Sequence, residues 1–271
     1  MTGVLPGDEL ALAGRLFGSR LILGSGKHPI ERLTEVVEAG GVEIVTLALR
    51  RANLNGPGDI LDHLPPGRAI LPNTSGARTA KEALTLARLA RELGCGDLIK
   101  IEVIADSRTL LPDNEETLQA VALLSEDGFA PLAYMTPDPV MGRKMEQAGA
   151  AAVMPLGAPI GSNRGLTTKE MVKLMVECLQ VPVIVDAGLG RPSQACEAME
   201  LGVAAVMVNT AVATSDDPPA MAKAFALAVQ AGRAAYLAGL GPVGRPQASS
   251  PLTGFLWEEK GSQDPSSQEK F

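Results

Sequence analysis

The chain has 271 residues, of which 46% are hydrophobic and only 3% aromatic, and its formal net charge is −7. The apolar fraction suffices for a large core and excludes global disorder, while the acidic balance and the scarcity of aromatic rings argue against a nucleic-acid-binding surface. The three cysteines are widely spaced, which favours reduced thiols over a disulfide framework and predicts a cytoplasmic protein.

The sequence predicts neither a metal site nor a membrane segment, and no cofactor is expected. Its two histidines, His28 and His63, form no Cys/His cluster with the spacing of zinc ligands. The first twelve residues carry Asp8 and Glu9 where a signal peptide would be basic and then apolar. No uncharged apolar run reaches the roughly 18 residues of a membrane-spanning helix.

Short apolar runs alternate with longer amphipathic segments, as expected for strands that alternate with helices. We predict eight strands, at Arg20–Leu23, Glu43–Leu47, Arg68–Leu71, Leu98–Ile104, Pro131–Tyr134, Ala152–Leu156, Val181–Asp186 and Ala204–Asn209. We predict helices at Ala77–Leu93, Asn114–Glu126, Pro139–Ala148, Thr168–Leu179, Arg191–Leu201 and Pro218–Leu237, with Gly58–Leu64 as the weakest candidate. This count predicts an α/β fold, a single-domain (β/α)8 TIM barrel, with a doubly wound open sheet as the alternative.

Three glycines support the predicted order of helices and strands. Gly41, Gly149 and Gly202 each follow a helical pattern and stand shortly before an apolar run. Glycine is expected just past a helix that turns directly into a strand. The repeated pattern therefore indicates helix-to-strand junctions within one layered domain.

The end of the chain has a different composition. From Gly244 onward Gly, Pro, Ser and Gln accumulate, and such a segment cannot bury enough apolar surface to hold itself in place. We therefore expect a catalytic barrel domain over residues 1–244 and a polar, flexible tail over residues 245–271. The apolar cluster of the tail is a candidate for docking on the barrel or on a partner; it consists of Leu252, Phe255, Leu256 and Trp257.

The predicted strand Leu98–Ile104 carries a lysine and a carboxylate within an apolar run. Because side chains alternate along a strand, Lys100 and Glu102 share one face, opposite Ile99 and Ile101. Lysine and glutamate are almost never fully buried unless they are paired or functional, and an amine in a low-dielectric site is a nucleophile for carbonyl groups. Two interpretations are open at this point, a Schiff-base lysine and an edge strand with a surface Lys/Glu pair.

Polar and glycine-rich segments follow the last three predicted strands. Asp186 ends the seventh strand, where a carboxylate is either a general acid/base or a helix cap. The glycines after it open a helix at Arg191-Pro192, and exposed N–H groups at such a terminus bind anions. The loop 157–165 is also glycine-rich, and Asn209-Thr210 ends the eighth strand. Barrels often hold a substrate phosphate in these loops.

A further glycine-rich segment, Gly24-Ser25-Gly26-Lys27-His28, is a candidate for a phosphate loop. It lacks the first glycine at the required spacing and the Ser or Thr that follows the lysine. We therefore reject it as a phosphate loop of that type.

Six segments form a specific set when they occur together and in this order: Ser19–Lys27, Leu71–Gly76, Ile99–Val103, Val153–Ser162, Val183–Gly188 and Asn209–Ala211. With them the chain resembles the bacterial thiazole synthase family of thiamin biosynthesis, from about Leu12 to Gly254. The resemblance implies a barrel enzyme that forms the thiazole phosphate from 1-deoxy-D-xylulose 5-phosphate, dehydroglycine (2-iminoacetate) and sulfur. It also implies that a small ThiS-type carrier protein delivers the sulfur as a C-terminal thiocarboxylate.

The resemblance assigns roles to individual residues. It implies that Lys100 forms an imine with the sugar ketone and that Glu102 and Asp186 are the acid/base pair for the tautomerisations that follow. It implies substrate and phosphate contacts at Gly161, Ala187, Gly188, Asn209 and Thr210. We further expect a homo-oligomer, either a homodimer or a homotetramer. Because burial favours the free amine while the carboxylates favour the ammonium form, we expect the pKa of Lys100 to be depressed only modestly.

Two other functions remain open on the sequence. A class I aldolase-like lyase or isomerase would use the same lysine but would need no sulfur carrier. A non-catalytic phosphate-binding scaffold would tolerate the loss of Lys100. Trapping of the imine separates the scaffold from both enzymes, and a requirement for the carrier separates the enzymes from each other.

Overall fold

The computed structural model describes residues 7–48 and 63–245. The chain divides into two units, Met1–Gly239 and Leu240–Phe271. The helices and strands of the described residues all lie in the first unit, and in the second the described residues 240–245 form neither. The predicted apolar cluster of the tail and most of the candidate segment Gly58–Leu64 lie outside the described residues.

Eight parallel strands form a closed barrel. The strands of the described residues are β1 (Leu10–Leu12), β2 (Arg15–Phe17), β3 (Leu21–Gly24), β4 (Ile44–Ala48), β5 (Ala69–Asn73), β6 (Leu98–Ile101), β7 (Ala130–Met135), β8 (Ala152–Pro155), β9 (Ile184–Val185) and β10 (Ala205–Val208). The sheet has the order β8-β7-β6-β5-β4-β3-β10-β9, and single parallel bridges Val153–Val183 and Leu156–Asp186 join its two ends. The predicted barrel is confirmed, and the open-sheet alternative is wrong because these bridges leave no free edge.

Helices follow the barrel strands along the described chain. They are α1 (Leu33–Ala39), α2 (Ala80–Glu92), α3 (Asn114–Glu126), α4 (Pro139–Gln147), α5 (Lys169–Cys178), α6 (Pro192–Glu200), α7 (Thr210–Ala213) and α8 (Pro218–Ala238), with a 3-10 turn at Ile30–Arg32 before α1. Side-chain caps explain several starts: Asp113 accepts from two N–H groups of α3, and Asp138 does the same for α4. The six predicted helices are confirmed, α1 is the helix that the pattern before Gly41 indicated, and α7 was not predicted.

The apolar residues form two layers, one between the strands and the helices and one inside the barrel. The outer layer contains Ile99, Ile101 and Val103, which is the face that strand alternation assigned to them. The inner layer contains strand residues of the opposite face, among them Leu98 and Leu132. Aliphatic side chains dominate both layers.

A short hairpin at the start of the chain completes the inner layer. The strands β1 and β2 pair antiparallel across Ala13-Gly14, both of which have positive φ, as a two-residue type I′ turn requires. Leu10, Leu12 and Phe17 of this hairpin are buried with the inner-layer residues. The hairpin was not predicted, because alanine in the first turn position concealed its signal.

The three junction glycines occupy the predicted positions. Gly41, Gly149 and Gly202 follow α1, α4 and α6, and all have positive φ. A Cβ at Gly202 would lie 2.5 Å from the ring of Tyr236, so a larger residue there would need the α8 side chain to move. The predicted helix-to-strand junctions are therefore confirmed.

Strand β6 is shorter than predicted and ends at Ile101. The Thr74 hydroxyl accepts a hydrogen bond from the backbone N–H of Glu102 and donates to the Glu102 carbonyl oxygen. This side chain therefore takes the place of the next ladder bonds, and Val103 makes only a single bridge to Ala77. Lys100 therefore lies within the strand, and Glu102 directly follows its end.

Candidate active site

A cavity of about 260 Å³ lies at the carboxyl ends of the barrel strands. It is lined by every residue that the sequence predicted for the site: Lys100, Glu102, Gly161, Asp186, Ala187, Gly188, Asn209 and Thr210. These residues come from the ends of β6, β9 and β10 and from the loop after β8. Functional sites of TIM barrels lie at this face of the fold.

Lys100 lies in the interior of the barrel and is almost fully buried. Strand β6 lies between β5 and β7, and the Lys100 side chain is 4% exposed. Its Nζ lies 2.5 Å from Asp186 Oδ2 and 3.7 Å from Glu102 Oε2. The interpretation of a wet edge strand is wrong, because this lysine is paired and inside.

The two carboxylates determine the charge state of Lys100. Burial is the largest single influence and lowers its pKa, but the charges and hydrogen bonds of Asp186 and Glu102 together outweigh it, so the pKa of Lys100 is raised. The expected modest depression is therefore wrong for the free enzyme. The lysine is stored as an ammonium ion and requires a base to become a nucleophile, and the nearest carboxylate, Asp186, is in contact with it.

Tyr134 lies next to this triad and is fully buried. Lys100 Nζ lies 5.1 Å from the centre of its ring, within the range of a cation–π contact. Burial, with smaller effects of Asp186 and Glu102, raises the pKa of the Tyr134 hydroxyl, so this group stays neutral. The ring forms an apolar wall beside the ammonium group.

The loops after β8 and β9 are packed against each other at the cavity wall. Ala187 and Gly188 both have positive φ, and a Cβ at Gly188 would lie 2.4 Å from the backbone nitrogen of Ala158. The Gly157 N–H donates to the carbonyl oxygen of Asp186. These contacts hold the backbone at Asp186 in place, and only glycine fits at position 188.

Two residues that line the cavity have backbone N–H groups without a partner among the described residues. The N–H groups of Gly161 and Gly188 donate to no acceptor among the described residues, which fits the predicted contacts at these two positions. The amides of Gly190 and Arg191 before α6 are different, because both donate to Gln194 Oε1. The prediction that the start of this helix binds an anion is therefore wrong for these two groups.

Six further polar side chains line the cavity that residue-by-residue reasoning had not assigned to it: Ser25, Lys27, Thr46, Asn73, Ser75 and Asn163. Asn73 lies beside Lys100 in the register of β5 and β6. Lys27 belongs to the glycine-rich segment that we rejected as a phosphate loop, and its Nζ lies 3.3 Å from Thr210 Oγ1. The available signal was the presence of polar residues near or just after the ends of the predicted strands.

Within residues 7–48 and 63–245, no group of His, Cys, Asp and Glu side chains is arranged to hold a metal ion. None of the helices in these ranges is both long and apolar enough to span a bilayer.

Comparison with protein families identifies relatives over nearly the whole chain. The model of the thiazole biosynthesis protein ThiG matches residues 11–251. A thiazole synthase of Campylobacter jejuni is 59% identical over 252 residues, which cover 93% of this chain and 98% of that protein. A thiazole synthase of Clostridium beijerinckii is 57% identical over 251 residues, covering 92% and 98%.

A solved structure shares the same architecture. The crystal structure of the Amycolatopsis orientalis BexX/CysO complex contains a chain that is 30% identical and superposes with a TM-score of 0.79, covering 88% of this chain and 98% of that one.

Proposed function

The chain belongs to the thiazole biosynthesis protein ThiG family, and on that premise we propose that it is a thiazole synthase that works through an imine at Lys100. The proposed substrates are 1-deoxy-D-xylulose 5-phosphate, dehydroglycine and a sulfur atom carried by a ThiS-type protein thiocarboxylate. The observation that carries the proposal is the burial of Lys100 between Asp186 and Glu102 at the bottom of the cavity. An ammonium group held between two bases is one proton transfer away from a nucleophilic amine.

Asp186 is the proposed base for the first step. Its Oδ2 takes a proton from Lys100 Nζ, and the free amine attacks the sugar ketone to give a carbinolamine. Loss of water, with the proton returned by a carboxyl group, leaves a protonated imine on Lys100. The positive nitrogen then acidifies the neighbouring C–H bond of the sugar, and Glu102 or Asp186 removes that proton.

Glu102 and Asp186 suit the later tautomerisations because both carboxylates lie within 3.7 Å of the same amine. Glu102 extends from the end of β6, while Asp186 reaches in after β9. The side chains are 12% and 5% exposed, so little bulk water competes for the protons they exchange. When one carboxylate removes a proton and the other delivers a proton, the carbonyl group moves along the sugar without a net loss of protons.

The phosphate group is proposed to bind at the loops after β8, β9 and β10. Gly161, Ala187, Gly188, Asn209 and Thr210 of these segments line the cavity, and backbone N–H groups are good donors for phosphate oxygens. This arrangement orients the sugar with its ketone toward Lys100.

We propose a sulfur-carrier protein as the partner. One solved relative is a complex of two proteins, BexX and CysO, which supports a protein partner. The extended end of a carrier would enter the cavity between the loops, through main-chain hydrogen bonds and a few side-chain pockets. A homodimeric or homotetrameric assembly and a cytoplasmic location complete the proposal.

The test is reductive trapping. Incubation with 1-deoxy-D-xylulose 5-phosphate and borohydride should add one sugar phosphate, and peptide mapping should find it on Lys100. The control is Lys100→Arg, which keeps the positive charge between the carboxylates but has no useful nucleophile, and it should not be trapped. Absence of an adduct, or an adduct on another lysine, would reject the assignment.

A second measurement separates the proposal from an aldolase-like reaction. Thiazole formation should require the carrier in its thiocarboxylate form and should stop when only its carboxylate form is supplied. Turnover of the sugar phosphate at an equal rate without the carrier would favour the aldolase-like alternative.

A further inference from the structure

Lys27 lies at the cavity mouth, in the loop after β3. Its Nζ lies 3.3 Å from Thr210 Oγ1, and a Cβ built on Gly161 would lie 3.4 Å from the same Nζ. The ammonium group therefore lies between two of the residues proposed above for the phosphate. Thr210 is 183 positions away along the chain, and only the closure of the barrel brings it to Lys27.

The charges of the cavity leave a role for Lys27. Its ionisable lining side chains, within the described ranges, are Lys27, Lys100, Glu102 and Asp186. Lys100 offsets only one of the two carboxylates, so without Lys27 the lining would carry one net negative charge. A phosphate monoester adds between one and two further negative charges near neutral pH. Lys27 is the one cation of the lining that no carboxylate of the described residues pairs with.

The backbone of Lys27 is held in an uncommon conformation. Its φ is +70°, in the left-handed region that residues with a Cβ rarely adopt. The side chain is exposed, so no burial of its stem accounts for the choice of lysine over glycine at this position. Backbone strain at a ligand-facing residue is consistent with a functional requirement.

We infer that Lys27 is a specificity-determining residue that binds the phosphate group of the substrate, with Thr210 and the backbone amides of Gly161 and Gly188 as its neighbours. Lys27 thereby selects a phosphorylated ketose over the unphosphorylated sugar. The inference rests on the proposed function for the identity of the sugar, whereas the binding of a phosphate group by Lys27 is measurable without any reaction.

The first measurement is the calorimetric affinity for inorganic phosphate and for 1-deoxy-D-xylulose 5-phosphate. Lys27→Met should weaken both by about 30-fold, equivalent to about 2 kcal/mol, the size of a hydrogen bond to a charged group. Lys27→Gly should weaken them equally while keeping or raising the melting temperature, because glycine relieves the left-handed strain. Lys81→Met, at an exposed lysine of α2, is the matched control and should change neither.

The second measurement is borohydride trapping at Lys100 with the phosphorylated and the unphosphorylated sugar. Lys27→Met should raise the half-saturating concentration of the phosphorylated sugar about 30-fold and leave that of the unphosphorylated sugar unchanged. Three results would overturn the inference: an unchanged phosphate affinity in both Lys27 variants, no phosphate binding by the wild type, or an equal rise in the half-saturating concentrations of both sugars. If the wild type binds phosphate through Lys27 but gives no adduct at Lys100, the inference stands and the imine mechanism fails.

Discussion

Replacing Asp186 by asparagine tests the electrostatic account of the site. The change keeps the size of the side chain but removes the negative charge 2.5 Å from Lys100 Nζ. With an effective dielectric constant of about 20, that contact corresponds to an attraction of about 7 kcal/mol, against about 4 kcal/mol for Glu102 at 3.7 Å. Desolvation stays in place, so the pKa of Lys100 should fall in the variant.

Two consequences can be measured. Breaking a buried ion pair costs about 3–5 kcal/mol, which for a domain of this size lowers the melting temperature by about 10 °C. Reductive methylation of Lys100 by formaldehyde and cyanoborohydride, followed peptide by peptide over about pH 6 to 10, reports the free amine. In the wild type this rate should still rise at the alkaline end, whereas in Asp186→Asn it should reach its plateau at lower pH. Exposed lysines such as Lys81 are internal references.

Glu102→Gln is the matched variant, because it removes the more distant charge. It should shift the methylation profile in the same direction but by less. A profile for Asp186→Asn that stays in place or moves to higher pH would refute the reasoning, and so would an equal or larger shift in Glu102→Gln.

Three further predictions follow from other contacts. Burial lowers the pKa of His28 to about 4, so the unfolded state binds the extra proton below about pH 6.5. The free energy of unfolding should therefore fall by about 3 kcal/mol between pH 7 and 4. In chemical denaturation, His28→Phe should remove this part of the acid sensitivity. A Cβ at Gly24 would lie 2.6 Å from the Cβ of Asn209, so Gly24→Ala should displace the Asn209 side chain. The half-saturating concentration of the sugar phosphate should then rise about 10-fold in the trapping assay. An unchanged half-saturating concentration would show that Asn209 does not contact the substrate. Gly188→Ala should lower the free energy of unfolding by about 2–4 kcal/mol, because its Cβ would lie 2.4 Å from backbone at a residue with positive φ. Gly128→Ala, also at positive φ but with open space around the Cβ, should lower it by only about 1 kcal/mol. Equal losses in chemical denaturation would contradict the steric argument.

Local periodicity in the sequence was sufficient for most of the fold. The alternation of apolar runs with amphipathic segments predicted all eight barrel strands, and the glycines that begin Gly41-Val42 and Gly202-Val203 marked the turns between layers. The face shared by Lys100 and Glu102 followed from the two-residue period of a strand. These features depend on neighbours in sequence, and therefore they can be recognised without the tertiary structure.

Two features that the sequence did not predict, the early end of β6 and the hairpin β1–β2, depend on contacts between segments that are distant in the sequence. The sequence pattern of β6 continues to Ile104, but the strand ends at Ile101 because the side chain of Thr74 takes over the backbone bonds of Glu102. The hairpin β1–β2 is stable where it packs under the inner layer of the barrel, since an isolated two-stranded hairpin is marginal in water. Neither the end of β6 nor the packing of the hairpin can be recognised from the residues of these elements alone.

The composition of the site shows the same division. The sequence by itself identified Lys100 as unusual, because an isolated amine in an apolar strand is costly unless it has a use. Only barrel closure determined that Asp186, not Glu102, is its nearest charge, and that Lys27 faces Thr210 from the other end of the chain. The physical reason is that a Coulomb interaction depends on distance in space, and in a closed barrel the first and last strands are neighbours.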